Sequence, residues 1–446
     1  MMNNPELLLG IDIGTTTLSL LLVSAHSGEV VYSMTLVNDS RFPGAAGQEM
    51  QDAQHIASLV LSAVDSLYET FPRIAAIGVT GQMHGVVCLD EDANPVSPLY
   101  TWQNQLAGSA LCEEICQRTG YRVHPGYGHA TLYALARSRS LDPRAAQYCT
   151  IMDYIVLQLT GKKSPLMHST NAASLGLWDL EAGCFDEQAL RQLALSPLRT
   201  PQTTIHSRIA GFYRGIPVGV ALGDNQASFF GSVNNESRSL LLNYGTGSQL
   251  SFVCASPDTP GGEIRPYIGD QYLLCRSALC GGRAYTMLER FFSAFAVQAG
   301  GSHEPQYALL NALAEEAYES RSRLCVCTQF CGTREDPALR GSILNIGEEN
   351  FTPGALALGV LEGMAQELRE GFDPKAHPLL SRAVASGNAV RRNPVLRRVL
   401  SDAFAMPLQL PMQQEEAALG AALFGGLCAG VLTYQQAKSI ICYDPA

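Results

Sequence analysis

Two nearly continuous apolar runs, Leu7–Ile13 and Leu18–Val23, flank a polar break, Gly14-Thr15-Thr16-Thr17, near the start of the chain. Apolar runs of this length bounded by turn residues predict buried strands, and the break between them predicts a hairpin. The pattern returns in the second half as Leu240–Tyr244 and Gln249–Val253, separated by Gly245-Thr246-Gly247-Ser248. A turn built from Gly, Thr and Ser exposes backbone N–H groups and small hydroxyls that can wrap a phosphate. Two such hairpins, one in each half, predict a nucleotide held between two related domains.

The remaining pattern fills in an α/β architecture. A third strand is expected at Val30–Leu36. A helix follows at Asp52–Tyr68, with apolar residues at Ile56, Leu59, Val60, Ala63, Val64 and Leu67. A short apolar strand, Ile74–Val79, runs into Thr80–Gly85, and Val86–Asp90 reads as a further strand. Alternation of this kind predicts a mixed sheet, whose strand ends would carry Met83 and His84 towards a ligand. Residues 100–215 alternate helical stretches with loops rich in Gly, Pro, Ser and Asn, an elaboration expected to form part of a substrate pocket. Ile216–Leu222 is a strand that stops at Gly223-Asp224-Asn225-Gln226, ahead of a helix running from Ala227 towards Ser232. The polar stretch Asn234–Ser239 sets the expected boundary between a domain at 1–234 and another at 235–446. Beyond it, helices are expected at Tyr285–Gln298, Tyr307–Tyr318, Thr352–Leu368, Asn393–Phe404 and Glu415–Gly430. The last is crowded with Ala and Gly, which lets other backbones pack closely. Arg382–Ala385 reads as a strand leading into Ser386-Gly387-Asn388.

Composition narrows the picture. A chain of 446 residues exceeds one ordinary core, so two domains are expected. Apolar residues make up 46% and charged residues 16%, the balance of a packed globular protein. Thirty basic residues against 41 acidic ones give −11, without the basic footprint that nucleic acid requires. No stretch approaches the ~18 apolar residues of a membrane span. The N-terminus lacks the charged and apolar regions of a secretory signal, so a cytoplasmic location is expected, as a monomer or homodimer acting on a small molecule. The 13 cysteines are scattered. Cys325, Cys327 and Cys331 cluster without a Cys-x-x-Cys pair or neighbouring His, and Cys112 and Cys116 lie one helical turn apart, so reduced thiols are expected.

Particular residues point to chemistry. Asp12 ends an apolar run beside a phosphate-type turn, where a carboxylate can hold Mg²⁺ through water or merely cap the turn. Asp224 ends a strand among small residues that leave room for a ligand. It suits a base that orients an acceptor hydroxyl and takes its proton, or alternatively a helix N-cap. Gly245, Thr246, Gly247 and Ser248 would grip terminal phosphates from the second domain. Gly281-Gly282 is expected to lie flat against a nucleoside, as is Gly387-Asn388. Trp102 offers an apolar face to a sugar and Gln103 a donor and an acceptor, although a core Trp is an equal alternative. His84, in a loop, reads as a ligand contact.

Taken in order, VTGQMHGVV at Val79–Val87, Thr101-Trp102-Gln103, Asn171–Ser174, VGVALGDNQAS at Val218–Ser228, Asn243–Leu250 and SGNAVRRNPVL at Ser386–Leu396 resemble the FGGY family of carbohydrate kinases. Within it, the sedoheptulokinase branch is most similar. The resemblance covers essentially the whole chain. It implies two RNase H-like domains of the actin-like ATPase superfamily flanking a central cleft, with the sugar mostly on the first and ATP mostly on the second. It implies Asp12 and Asp224 at Mg²⁺, Asp224 as the base, and Gly14, Thr15 and Thr16 in the first phosphate motif. Gly245–Ser248 would form the second phosphate motif, with Gly387 and Asn388 at adenosine. Met83, His84, Trp102, Gln103, Asn104, Asn171 and Asn225 would belong to the sugar side. The implied reaction is ATP- and Mg²⁺-dependent phosphorylation of a ketose at a terminal primary hydroxyl, sedoheptulose first. A pentulose kinase, a non-catalytic sugar sensor on the same scaffold and an actin-like or chaperone ATPase are the alternatives. The chain departs from the family pattern in two places. Asn104-Gln105-Leu106 replaces Asp-x-Arg, and Met50-Gln51-Asp52 replaces Glu-Gln-Asp, with Glu49 displaced by one position. Both fall on the sugar side.

Overall fold

The computed structural model describes residues 6–333, 336 and 338–444; the stretch 1–5, which holds most of the N-terminus read above for a leader signal, lies outside them. In the first half, the expected apolar runs form β1 (Leu7–Ile13), β2 (Thr17–Ser24) and β3 (Val30–Val37). Asp52 caps α1 (Ala53–Thr70), accepting from the N–H groups of Gln54 and His55. β4 (Ile74–Gly81) runs two residues further than its apolar core and carries Thr80 and Gly81 into the sheet. The expected strand at 216–222 follows β5 (Ile209–Tyr213) and is broken, giving β6 (Ile216–Gly219) and β7 (Leu222–Gly223). α2 (Asp224–Ser232) begins at once.

The second half repeats the plan. β8 (Ser239–Tyr244) and β9 (Ser248–Cys254) form the second hairpin, followed by β10 (Glu263–Pro266), β11 (Tyr272–Ala278) and α3 (Gly281–Gln298). Thr352 caps α4 (Pro353–Arg369) by accepting from the N–H of Ala355. β12 (Arg382–Ser386), α5 (Pro394–Phe404), β13 (Leu408–Gln409) and α6 (Glu416–Cys428) complete it.

The first sheet has the order β5-β6-β4-β1-β2-β3, with β7 also on β4, and the second β10-β11-β9-β8-β12-β13. In each, a hairpin is antiparallel and its first strand then pairs in parallel with a later one: β1 with β4, β8 with β12. The same path traced twice is the two-domain mixed α/β arrangement expected above. Each sheet has its own apolar core, and a third cluster joins them through Phe229, Phe230, Leu241, Tyr267, Val384 and Phe424.

Glycine sets the joint between the halves. α6 belongs to the second half by sequence, yet it packs across β1, β4 and α2 of the first. A Cβ on Gly78 would fall inside the carbonyl of Ala421, one on Gly10 inside that of Ala418, and one on Gly420 inside that of Ala227. The Ala/Gly richness of this helix therefore serves backbone contact, as its composition suggested. Beside it, the buried ammonium of Lys438 pairs with Glu236 at 2.6 Å and donates to the carbonyls of Phe230 and Val233 at 2.9 Å each. Tyr267 donates to the same Glu236 at 2.5 Å. The segment connecting the two sheets is thus fastened by one enclosed ion pair.

Candidate active site

β1 carries Asp12 one residue before its end. Its register places Asp12 beside Thr80 on β4, and β7 places Leu222 beside Thr80 on the other side. Asp224 follows two residues later as the first residue of α2, so the two carboxylates emerge from one end of one sheet. Burial, the Asp224 charge and the Glu415 charge together push Asp12 up to about 7. Burial pushes Asp224 up to about 6, offset by the Arg265 guanidinium and by backbone N–H groups at Asn225 and Met83. The helix cap is Gly223, and its N–H donates to Thr170 Oγ1 at 3.1 Å. The N-cap alternative for Asp224 is therefore not what the chain does.

The first turn is tied down before any ligand arrives. Gly14 N–H donates to the Thr17 carbonyl at 2.9 Å, and Asn38 Nδ2 donates to the Gly14 carbonyl at 2.8 Å. A chain of side chains then runs across the cleft floor. Trp102 Nε1 donates to Thr15 Oγ1 at 3.1 Å, which donates to Gln82 Oε1 at 3.3 Å, and Gln82 Nε2 donates to Gln51 Oε1 at 2.7 Å. Gln51 Nε2 closes the loop on the Thr15 carbonyl at 2.8 Å. Thr16 and Trp102 stay exposed, the latter at 48%, which is not the setting of a core Trp.

His84 holds a left-handed backbone at φ 72°, a conformation a non-glycine residue keeps only when its surroundings impose it. Its Nδ1–H donates to the Ser174 carbonyl at 2.8 Å, and its ring stacks on Tyr127 at 4.5 Å. Met83 is buried against Gly223, while Gln103 is exposed. Asn104 and Asn171 are fully enclosed. Asn104 Nδ2 donates to Thr131 at 3.3 Å, and Asn171 Nδ2 donates to the Ala221 carbonyl at 3.1 Å and to Asp153. Each leaves its Oδ1 without a hydrogen-bond partner among the described residues. Glu49, displaced from the family position, pairs with Arg41 at 2.8 Å.

The start of α2 is also gripped by the second sheet. Asn225 Nδ2 donates to Gln249 at 2.6 Å, and its Oδ1 accepts from Cys275 Sγ at 3.1 Å. Gln226 Nε2 donates to the Pro266 carbonyl at 3.0 Å. Arg265, Glu263 and Thr170 carried no motif signal, because their meaning comes from partners far away in sequence; Gln51 and Gln82 lie in motifs, but the bridge between them is visible only in the fold.

A cavity of about 1160 Å³ opens on the second domain and is lined by Gly245, Thr246, Gly282, Gly387 and Asn388. Tyr285 and Tyr307, stacked at 6.2 Å, and Asn311 complete one wall. Gly281 and Gly282 form the first turn of α3, which starts there rather than at the expected Tyr285. Gly281 sits against the Gly247 backbone, and Gly282 and Arg283 N–H groups donate to the carbonyls of Gly245 and Thr246 at 3.0 and 3.1 Å. Gly387 takes φ 95°, and a Cβ there would strike the Tyr244 carbonyl, as one on Gly281 or Gly282 would strike the backbone of Gly247 or Gly245. Gly247 and Ser248 lie behind this rim, Ser248 buried.

An all-oxygen pair of carboxylates that repel each other fits a hard divalent cation. Among the described residues, no group of three or more His, Cys, Asp or Glu could hold a metal ion directly. No helix of the described residues is long and apolar enough to cross a membrane.

Comparisons with known proteins identify the family and the fold. The N-terminal domain of the FGGY family of carbohydrate kinases matches residues 7–231, and the family's C-terminal domain matches residues 240–429. Sedoheptulokinase of Mus musculus is 27% identical, over 93% of this chain and 96% of its own length. Xylulose kinase from Rhodospirillum rubrum superposes with a TM-score of 0.85 at 21% identity, covering 99% of this chain and 93% of that one. Plasmodium falciparum glycerol kinase with ADP superposes at 0.80 with 19% identity, covering 98% and 92%.

Proposed function

The chain belongs to the FGGY family of carbohydrate kinases, and from that premise we propose that it moves the terminal phosphoryl group of ATP onto a terminal primary hydroxyl of a ketose. Sedoheptulose, giving the 7-phosphate, is the leading acceptor. The observation that carries the reading is the convergence of Asp12 and Asp224 at one sheet end, in a chain whose second domain carries a glycine-lined cavity.

In this reading, residues 1–234 hold the sugar and 235–446 hold the nucleotide. Asp224 accepts a hydrogen bond from the acceptor hydroxyl and takes its proton as the new O–P bond forms. A carboxylate raised to about 6 is a stronger base than an ordinary one yet remains ionised at neutral pH. The first turn, at Thr15 and Thr16, and the second, at Gly245 and Thr246, would meet the phosphate oxygens from opposite domains, and preorganised donors of this kind supply much of phosphoryl-transfer catalysis. Bound with the nucleotide, Mg²⁺ would neutralise those oxygens, with Asp12 and Asp224 holding its waters. Adenine would lie by Tyr285, with Gly387 and Asn388 at the ribose side. Met83, His84, Trp102 and Gln103 would face the acceptor, with Asn104, Asn171 and Asn225 supporting that wall from behind. Closing the cleft excludes water, the competing acceptor.

The sedoheptulose assignment draws on the Mus musculus relative, and the xylulose kinase neighbour makes a pentulose the second reading. A panel of ketoses ranked by kcat/KM with ATP separates the two.

A further inference from the structure

The kinase reading leaves one buried cation without a task. Arg265 lies on β10 of the second domain, its side chain nine-tenths buried. Glu263, two residues earlier and so on the same face of the strand, pairs with its Nη2 at 2.7 Å. Arg265 Nε is buried and has no hydrogen-bond partner among the described residues.

The surroundings of Arg265 are those of the acceptor corner. Pro266, the next residue, takes a hydrogen bond from Gln226 on the first turn of α2, and Cys275, paired with Glu263 across the sheet, donates to Asn225. The start of α2, which carries Asp224, is therefore docked on the strand that bears Arg265. On the other side, Tyr127 donates to Glu263 at 3.5 Å while its ring stacks on His84. Asp224, Glu263, Cys275 and Tyr127 are the titratable groups that act on or beside this guanidinium. A buried donor without a partner is costly unless something fills it, and the Asp224 carboxyl, on which this guanidinium acts, marks the side from which a partner would come.

We infer that Arg265 is an acceptor-binding, specificity-determining residue, whose Nε–H donates to a hydroxyl or carbonyl oxygen of the sugar beside the hydroxyl that Asp224 orients. The inference rests on the kinase reading. Glu263 fixes the guanidinium plane and so the direction of the donor, a task lysine cannot perform. Because Arg265 arrives from the nucleotide domain, the acceptor is read fully only when both domains meet around it.

The test compares wild type with Arg265→Met and Arg265→Lys, using sedoheptulose, xylulose, ribulose and fructose as acceptors and ATP as donor. Arg265→Met is expected to raise the acceptor KM by ~10- to 100-fold, the loss of a charge-assisted hydrogen bond. The ATP KM should stay within about twofold, and Arg265→Lys should recover only part of the loss. If Arg265→Met does not fold because Glu263 loses its guanidinium, Glu263→Gln/Arg265→Met removes both charges and carries the same expectation. Acceptor KM values within about twofold of wild type for the soluble variant would overturn the inference while leaving the kinase reading intact. A wild-type enzyme that phosphorylates none of these sugars would overturn the ketose reading itself, and this inference with it.

Discussion

Asp12 and Asp224 come from opposite ends of the first domain's sequence and emerge on either side of Thr80, close enough for the Asp224 charge to raise the pKa of Asp12. Parallel pairing of β1 and β7 with the same central strand makes this convergence a property of sheet register rather than of loop placement. A carboxylate pair built on strand ends is held rigidly, which is what positioning a hydroxyl in line with a phosphate demands.

That pair gives the metal-free protein a defined pH response. Both carboxyls have folded pKa values above the unfolded value of 3.8, about 7 for Asp12 and about 6 for Asp224. The folded state therefore binds more protons in this window. The stabilising contribution is complete below about pH 4 and is lost as pH rises through about 6 to 7. The Tm of chelator-treated protein should fall between about pH 5 and pH 8, Asp12→Asn should flatten that fall, and Mg²⁺ with nucleotide should reverse it. An unchanged slope in Asp12→Asn would show that the carboxyl does not carry the strain assigned to it.

Lys438 and Glu236 form an enclosed pair at the segment joining the sheets. Lys438→Met strands Glu236 in a buried site and should cost about 3–5 kcal/mol in denaturant unfolding, whereas Lys438→Met/Glu236→Gln should recover most of it. Equal losses in both variants would mean that packing, not charge, holds the joint.

Gly78 lies where α6 crosses β4. Gly78→Ala must force two backbones apart and should lower unfolding free energy by roughly 3 kcal/mol or more, if soluble protein forms at all. Gly183→Ala, in a turn at φ 66° with open space around it, should cost only about 1 kcal/mol. Comparable Tm values for the two variants would remove the close-contact account of this joint.

Much of this was readable before any coordinates. Continuous apolar runs fixed both hairpins, Asp52, Thr352 and Asn393 announced their helices, and Gly223-Asp224 marked the sheet end. The reading faltered where meaning lies in distant partners. The start of α3 at Gly281, ahead of the expected Tyr285, is not legible because the need for Gly there comes from Gly247 across the turn. Arg265 and Glu263 belong to no motif, and their place beside the start of α2 is visible only in the fold. That α6 lies over the first sheet could not be seen from its own residues, although their small size hinted at tight contact.

Asn104 shows how a family departure is accommodated. It is fully enclosed, and Leu106, where the family has Arg, packs against the apolar core. Asn104→Asp alone places a carboxylate there without a guanidinium, so its carboxyl should be driven to the neutral form. The variant should lose stability relative to wild type as pH rises from about 5 to 8. Asn104→Asp/Leu106→Arg should reduce that loss and shift the ranking of ketoses by kcat/KM. Identical rankings would show that this loop does not influence acceptor choice.

The central claim is most directly tested by ADP release measured with and without sedoheptulose, for wild type and for Asp224→Asn, alongside ATP binding by calorimetry. The account predicts sugar-dependent release in wild type, a fall of about 10²–10⁴ in kcat for Asp224→Asn, and ATP affinity little changed. Release that ignores the sugar, or a variant that turns over at the wild-type rate, would contradict it.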